Sequence, residues 1–232
     1  ALAPSCSSSF NFPIIPYFSS FSAFPCQLFA IMGTVKNMIK NIVFDIGNVL
    51  MSFQPMRAFQ HIAHHETLCP LLFRSQLWLD YDRGTCTLDE LRARCTDAFP
   101  QHRQSIMAML ENWPQILQPI QPMTAFRQEC KDHGYGIYII SNLNEDSARF
   151  MQERYALFDG LDGAILSYQE HLLKPDPQMF WLLLTRYALR PETCLFLDDS
   201  PDNVNAACRI GMRAVRVDDP AAAVKEAREL LC

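Results

Sequence analysis

Apolar positions from residue 38 onward fall into short blocks separated by periodic, more polar stretches. Residues 41–45, Asn-Ile-Val-Phe-Asp, form a β-branched apolar run that ends in an acid, as a buried parallel strand does. Residues 136–141, 164–167, 194–198 and 214–217 repeat that pattern. Between these runs, residues 122–133, 144–155, 176–189 and 202–210 space their apolar side chains as helices do. Met123, Phe126 and Cys130 share one face, and Gly134 and Gly211 stand where C-terminal caps belong. Strand alternating with helix predicts an α/β fold, a doubly wound parallel sheet covered on both faces.

Residues 53–118 break the alternation. Leu71, Leu72 and Phe73, then Leu77 and Leu79 around Trp78, Leu88 with Leu91, and Ile106 with Met109 and Leu110 recur at helical spacing, and no convincing strand lies among them. The expected organisation is a core from 38–52 and 119–232, with 53–118 a small all-helical cap over the carboxyl ends of the strands. Ligands of open α/β sheets bind at those ends. Tyr81-Asp82-Arg83-Gly84 joins two helices of the insertion, either as a plain turn or as a segment facing the substrate. Trp78, Trp113 and Trp181 lie among apolar neighbours and are expected in the core or the cap seam.

Composition changes this picture in three places. Residues 1–31 carry no charged side chain, and Pro4, Pro13, Pro16 and Pro25 interrupt every apolar run, which argues against a signal peptide or a membrane span. Residues 1–37 are therefore expected to be an extraneous or disordered leader, with Met32 or Met38 a natural start. A formal charge of −5 with no basic stripe argues weakly against nucleic acid as the main partner. Nine cysteines without a C-x-x-C pair read as buried thiols of a reducing, cytoplasmic setting. His61 and His65 would share a helix face near His64, but no acid or cysteine completes a metal set there. Nothing in the sequence sets the oligomeric state.

Polar residues gather where the expected strands end. Asp45 closes the first, Ser141 and Asn142 the second, Lys174 follows the third, and Asp198 and Asp199 end the fourth. In a parallel sheet these ends share one edge, so the residues converge on one crevice. Taken singly, such residues are more often caps and turns, Ser141-Asn142 an N-cap and Lys174-Pro175 a turn before a helix. Three carboxylates together are costly to bury unless a divalent cation joins them, and hard oxygen ligands with few histidines indicate magnesium. A phosphoryl group would satisfy Lys174, Ser141 and the metal at once.

Asp45-Ile-Gly-Asn-Val-Leu50, Ser141-Asn142, Lys174-Pro175-Asp176 and Asp198-Asp199-Ser-Pro-Asp-Asn203 resemble the four ordered motifs of the haloacid dehalogenase superfamily. The resemblance spans about residues 40–217, and is similar in detail to the branch containing bacterial glucose-1-phosphate phosphatase and the phosphatase domain of epoxide hydrolases. It implies a Rossmann-like core with a helical cap, and a phosphomonoesterase using Mg2+ and a small phosphorylated substrate. It also implies roles. Asp45 would be the nucleophile. Asp45, the carbonyl of Gly47, Asp198 and Asp199 would hold the metal. Ser141, the backbone of Asn142 and Lys174 would bind phosphate, and Asn203 would brace the metal loop.

One position departs from the superfamily pattern. Most such phosphatases carry a second Asp two residues after the nucleophile, to protonate the leaving group, and here that position is Gly47. General acid catalysis is worth about 10²–10⁴-fold, so sugar 1-phosphates, whose anomeric oxygen departs easily, are expected to turn over faster than 6-phosphates. Gly47 also supports a non-catalytic binding protein on the same scaffold. The Asp198-Asp199 pair favours phosphate chemistry over carbon–halogen hydrolysis.

Overall fold

The computed structural model describes residues 38–231, so the expected leader at 1–37 lies outside the described residues. Its strands are β1 (Asn41–Phe44), β2 (Met51–Ser52), β3 (Gln118–Pro119), β4 (Gly136–Ser141), β5 (Gly163–Leu166), β6 (Cys194–Asp198) and β7 (Arg213–Arg216). Five of them form one parallel sheet in the order β5-β4-β1-β6-β7, with β1 between β4 and β6. The helices are α1 (Pro55–Ala58), α2 (His65–Phe73), α3 (Gln76–Asp82), α4 (Leu88–Ala98), α5 (Arg103–Asn112), α6 (Gln121–Asp132), α7 (Glu145–Tyr155), α8 (Ser167–Glu170), α9 (Pro177–Arg186), α10 (Pro201–Arg209) and α11 (Pro220–Leu231).

Alternate residues of each strand feed opposite faces of the sheet. Ile42, Phe44, Ile137, Ile139, Leu195 and Leu197 join one buried cluster with α6, α7 and α11. Val43, Tyr138, Ile140, Cys194 and Phe196 join the other with α9 and α10. The sheet is thus doubly wound, and strands buried on both faces explain the near-continuous apolar runs.

The first cluster continues into the helical insertion through Leu72, Phe73, Trp78, Leu91, Met109 and Trp113. The insertion leaves and rejoins the sheet through a short antiparallel pair in which Met51 faces Pro119 and Ser52 faces Gln118. Within it, Thr87 and Glu90 form a capping box at the start of α4. The turn after α3 presses on the core. Gly84 has φ +73°, and a Cβ there would lie 2.5 Å from the Tyr168 carbonyl oxygen, so only glycine fits. Beside it, His171 Nδ1 lies 2.9 Å from the Arg83 carbonyl oxygen, and Ser167 Oγ donates to that of Asp82 at 2.5 Å.

Two expectations are corrected. Trp181 is 50% exposed, because α9 turns Met179, Phe180, Leu183 and Leu184 inward and leaves position 181 outside. His61 and His65 do not share a helix face, since α2 begins only at His65 and its cap, His64, is left-handed and lies against the His102 ring. Trp78 and Trp113 are buried, as are five of the six described cysteines. No helix among the described residues is long and apolar enough to cross a membrane.

Candidate active site

β1, β4 and β6 end at the same edge, and each delivers a polar residue where its ladder stops. Asp45 follows β1, with its N–H still bonded to the Leu197 carbonyl at 2.9 Å. Ser141 is the last residue of β4, and Asp198 the last of β6. Lys174 arrives on the loop between α8 and α9. The Asn142 side chain fixes that loop, with Nδ2 donating to the Lys174 carbonyl at 3.0 Å and Oδ1 accepting from the Lys174 N–H at 2.7 Å.

The Lys174 ammonium lies between two carboxylates, 2.7 Å from Asp45 Oδ1 and 2.6 Å from Asp198 Oδ2. Ser141 Oγ also donates to Asp45 Oδ1, at 2.8 Å. Both partners therefore converge on one oxygen of Asp45 and leave Oδ2 for other chemistry. Asp198 is fully enclosed, and accepts further bonds from the Ser200 N–H at 2.8 Å and from Asn203 Nδ2 at 3.0 and 3.1 Å. Asn203 thus braces the loop by holding Asp198. Asp199 is tied instead to Asn48, whose Nδ2 donates to its Oδ2 at 3.0 Å.

Asp45, Asp198 and Asp199 each place a carboxylate oxygen within 4.8 Å of the others. One buried ammonium does not neutralise three carboxylates. Burial pushes the Asp45 carboxyl up to about 6, against the lowering pull of Lys174, and burial also raises Asp199. A hard divalent cation fits this oxygen-rich donor set and its residual charge. Asp45, Ser141, Asn142, Lys174, Asp198 and Asp199 stand at this edge. Gly47, two residues beyond Asp45, lines an adjacent cavity together with Asn142.

Asn48 stands three residues after Asp45 in the first motif. It has φ 53°, and its Oδ1 accepts from the Phe53 N–H at 3.0 Å while its amide holds Asp199. Asparagine is one of the few residues that tolerate this conformation, which is the signal that marks it. Asn144 and Ser167 bind the insertion to the core through Asp82. Their partner Asp82 lies 62 and 85 positions away, so no local pattern announces them.

The fold and the site are those of a doubly wound α/β protein that gathers three carboxylates and a lysine at the carboxyl edge of its sheet. The chain belongs to the haloacid dehalogenase-like hydrolase family, whose model matches residues 39–211. It is 25% identical over 194 residues to the sesquiterpene phosphatase astK of Aspergillus oryzae, covering 83% of this chain and 96% of the relative. It is also 25% identical over 199 residues to D-ribitol-5-phosphate phosphatase of Bacteroides thetaiotaomicron, covering 79% and 94%. A crystal structure of an enzyme of this family from the same bacterium, in complex with magnesium and inorganic phosphate, superposes with a TM-score of 0.62 at 21% identity, covering 77% of this chain and 93% of the other.

Proposed function

We propose that this protein is a magnesium-dependent phosphatase that hydrolyses a small phosphorylated metabolite through an aspartyl-phosphate on Asp45. The observation that carries the reading is the convergence of Lys174 Nζ and Ser141 Oγ on a single oxygen of Asp45. That arrangement orients the carboxylate and leaves its second oxygen as the nucleophile. Two relatives with phosphatase names across nearly their whole length, and a solved family member that binds magnesium and phosphate, support it.

In this reading Asp45 Oδ2 attacks phosphorus, and the ester oxygen leaves with its electron pair. Lys174 offsets charge on Asp45 and on the incoming phosphoryl group. The Ser141 hydroxyl and the backbone N–H of Asn142 would donate hydrogen bonds to the phosphate oxygens. Asp45, Asp199, the Gly47 carbonyl and Asp198 would hold magnesium, which when bound supplies positive charge against the phosphoryl oxygens. Asp198 also fixes Lys174. Residues 53–118 act as the cap, and residues 38–52 with 119–232 as the core.

The test is magnesium-dependent release of phosphate from p-nitrophenyl phosphate by the wild type and by Asp45→Asn. The variant should keep its circular dichroism spectrum and lose at least about a hundredfold in turnover. Retained turnover removes Asp45 from the role, and an inactive but folded wild type leaves the non-catalytic reading standing. The finer expectation, faster turnover of glucose 1-phosphate than of glucose 6-phosphate, holds only where nothing protonates the leaving oxygen.

A further inference from the structure

A Cβ placed on Gly47 meets no atom within 4 Å. Gly47 and Asn142 line a cavity of about 80 Å³ with Phe53, Trp78, Trp113 and Asp82, and Asp82 is the one ionisable side chain in its walls. The site of the missing acid thus shares a cavity with a carboxyl group supplied by the insertion.

Asp82 is the last residue of α3, where the negative end of the helix dipole disfavours a carboxylate. Its main chain is pinned to the core by Ser167, and the next two residues by His171 and by the close approach of Gly84 to Tyr168. Its Oδ1 accepts from Asn144 Nδ2 at 2.8 Å. Asn144 is itself held as the N-cap of α7, its Oδ1 accepting from the Ser147 N–H at 2.9 Å. Burial raises the Asp82 carboxyl to about 7, so the acid form persists near neutrality. Trp113, which lines the same cavity, is buried, and its indole N–H has no hydrogen-bond partner among the described residues.

We propose that Asp82 is the proton donor for the leaving group, in place of the side chain that Gly47 lacks. The inference rests on the phosphatase reading. As the bond from Asp45 Oδ2 to phosphorus forms and the ester P–O bond breaks, the departing oxygen takes the proton of the Asp82 carboxyl and leaves as an alcohol. In the second half, the Asp82 carboxylate takes a proton from water while the resulting hydroxyl bonds to phosphorus. The Asp45–phosphorus bond breaks, phosphate departs, and both carboxyl groups return to their starting states. With a donor in place, the preference for sugar 1-phosphates expected of a bare Gly47 becomes a property of a variant without Asp82.

The alternative is that Asp82 only pins the insertion to the core. The experiment compares Asp82→Asn with wild type on p-nitrophenyl phosphate, glucose 1-phosphate and glucose 6-phosphate, with magnesium throughout. Asp82→Asn should lose about 10²–10⁴-fold in kcat on glucose 6-phosphate and less than about tenfold on the aryl ester. Adding Gly47→Asp to that variant should recover at least about tenfold on glucose 6-phosphate alone, which repair of a structural pin cannot do. Equal losses on all substrates, or no loss, overturn the proposal. If Asp82→Asn does not fold, Gly47→Asp in the wild type decides it. A gain below about threefold on glucose 6-phosphate is expected, and a gain of about tenfold shows the donor was missing. Wild-type protein without magnesium-dependent activity on any of the three overturns both readings, whereas an active wild type with a flat Asp82→Asn response overturns this one alone.

Discussion

Lys174 Nζ lies 2.7 Å from Asp45 Oδ1, and both side chains are buried. The same ammonium holds Asp198, so its removal would strand two enclosed carboxylates. Breaking a buried pair costs about 3–5 kcal/mol. Lys174→Met should therefore lower the melting temperature by about 6–20 °C, and magnesium should return part of the loss. Thermal melts with and without the metal check this, and a shift of a degree or less would mean the pair does not hold the site.

Metal dependence should divide unequally among the site residues. Asp199→Ala should raise the magnesium concentration for half-maximal activity more than Lys174→Ala does. Asn48→Ala, which removes the donor holding Asp199, should raise it by about 10–100-fold. Magnesium titrations of the three variants give the order, and a normal requirement in Asn48→Ala would show that Asp199 needs no such support.

Gly84→Ala should damage stability and turnover together. The new methyl group meets the Tyr168 carbonyl at 2.5 Å in a left-handed backbone, and such strain costs about 1–3 kcal/mol. The turn must then move, taking Asp82 with it. Melting temperature and kcat on glucose 6-phosphate are the measurements, and an unchanged kcat in a destabilised protein would separate the turn from the chemistry.

The stability of the wild type should carry an Asp82 component that falls as pH rises. Burial lifts this carboxyl from the ordinary 3.8 to about 7. Between those values the folded protein holds a proton the unfolded chain has lost, so the contribution is complete below about pH 4 and disappears as pH passes 7. Asn cannot titrate. The melting temperature of Asp82→Asn minus that of wild type should rise by a few degrees from pH 4.5 to pH 8. Drift in the other direction would mean that Asp82 is held ionised.

The sequence showed most clearly what burial and chemistry both constrain. The strands of the sheet were legible because covering both faces makes each a short, β-branched, near-continuous apolar run, too short for a buried helix. Asp45, Ser141, Asp198 and Asp199 were legible because each sits where a strand stops or just beyond it, and Lys174 because a proline and an acid follow it ahead of a helix. Weaker signals misled. The helix expected to reach residue 189 ends at Arg186, because Ala188 turns left-handed and the Leu189 N–H closes on the Leu184 carbonyl, with no glycine to mark the stop. β2 and β3 have two residues each, too few for any periodicity. α11 went unread although its Ala223, Val224 and Ala227 are buried, since small residues make a faint stripe. Asp82 stood in a turn that read equally well as bland, and its meaning depends on Asn144 and Ser167 in another part of the chain.

The position of β1 sets the order in which this molecule can be completed during synthesis. β1 pairs with β4 on one side, but its other side waits for Leu195, Phe196 and Leu197 of β6. A ribosome that has just released residue 190 has exposed a chain whose central strand still offers an open row of N–H and C=O groups to any passing extended peptide. Unpaired edges of this kind make partly made chains prone to aggregation. A premature stop before β6 would therefore do more than delete Asp198 and Asp199. It would convert the middle of the sheet into an adhesive edge, so truncated products should accumulate as aggregates, or be degraded, rather than persist as inactive soluble fragments.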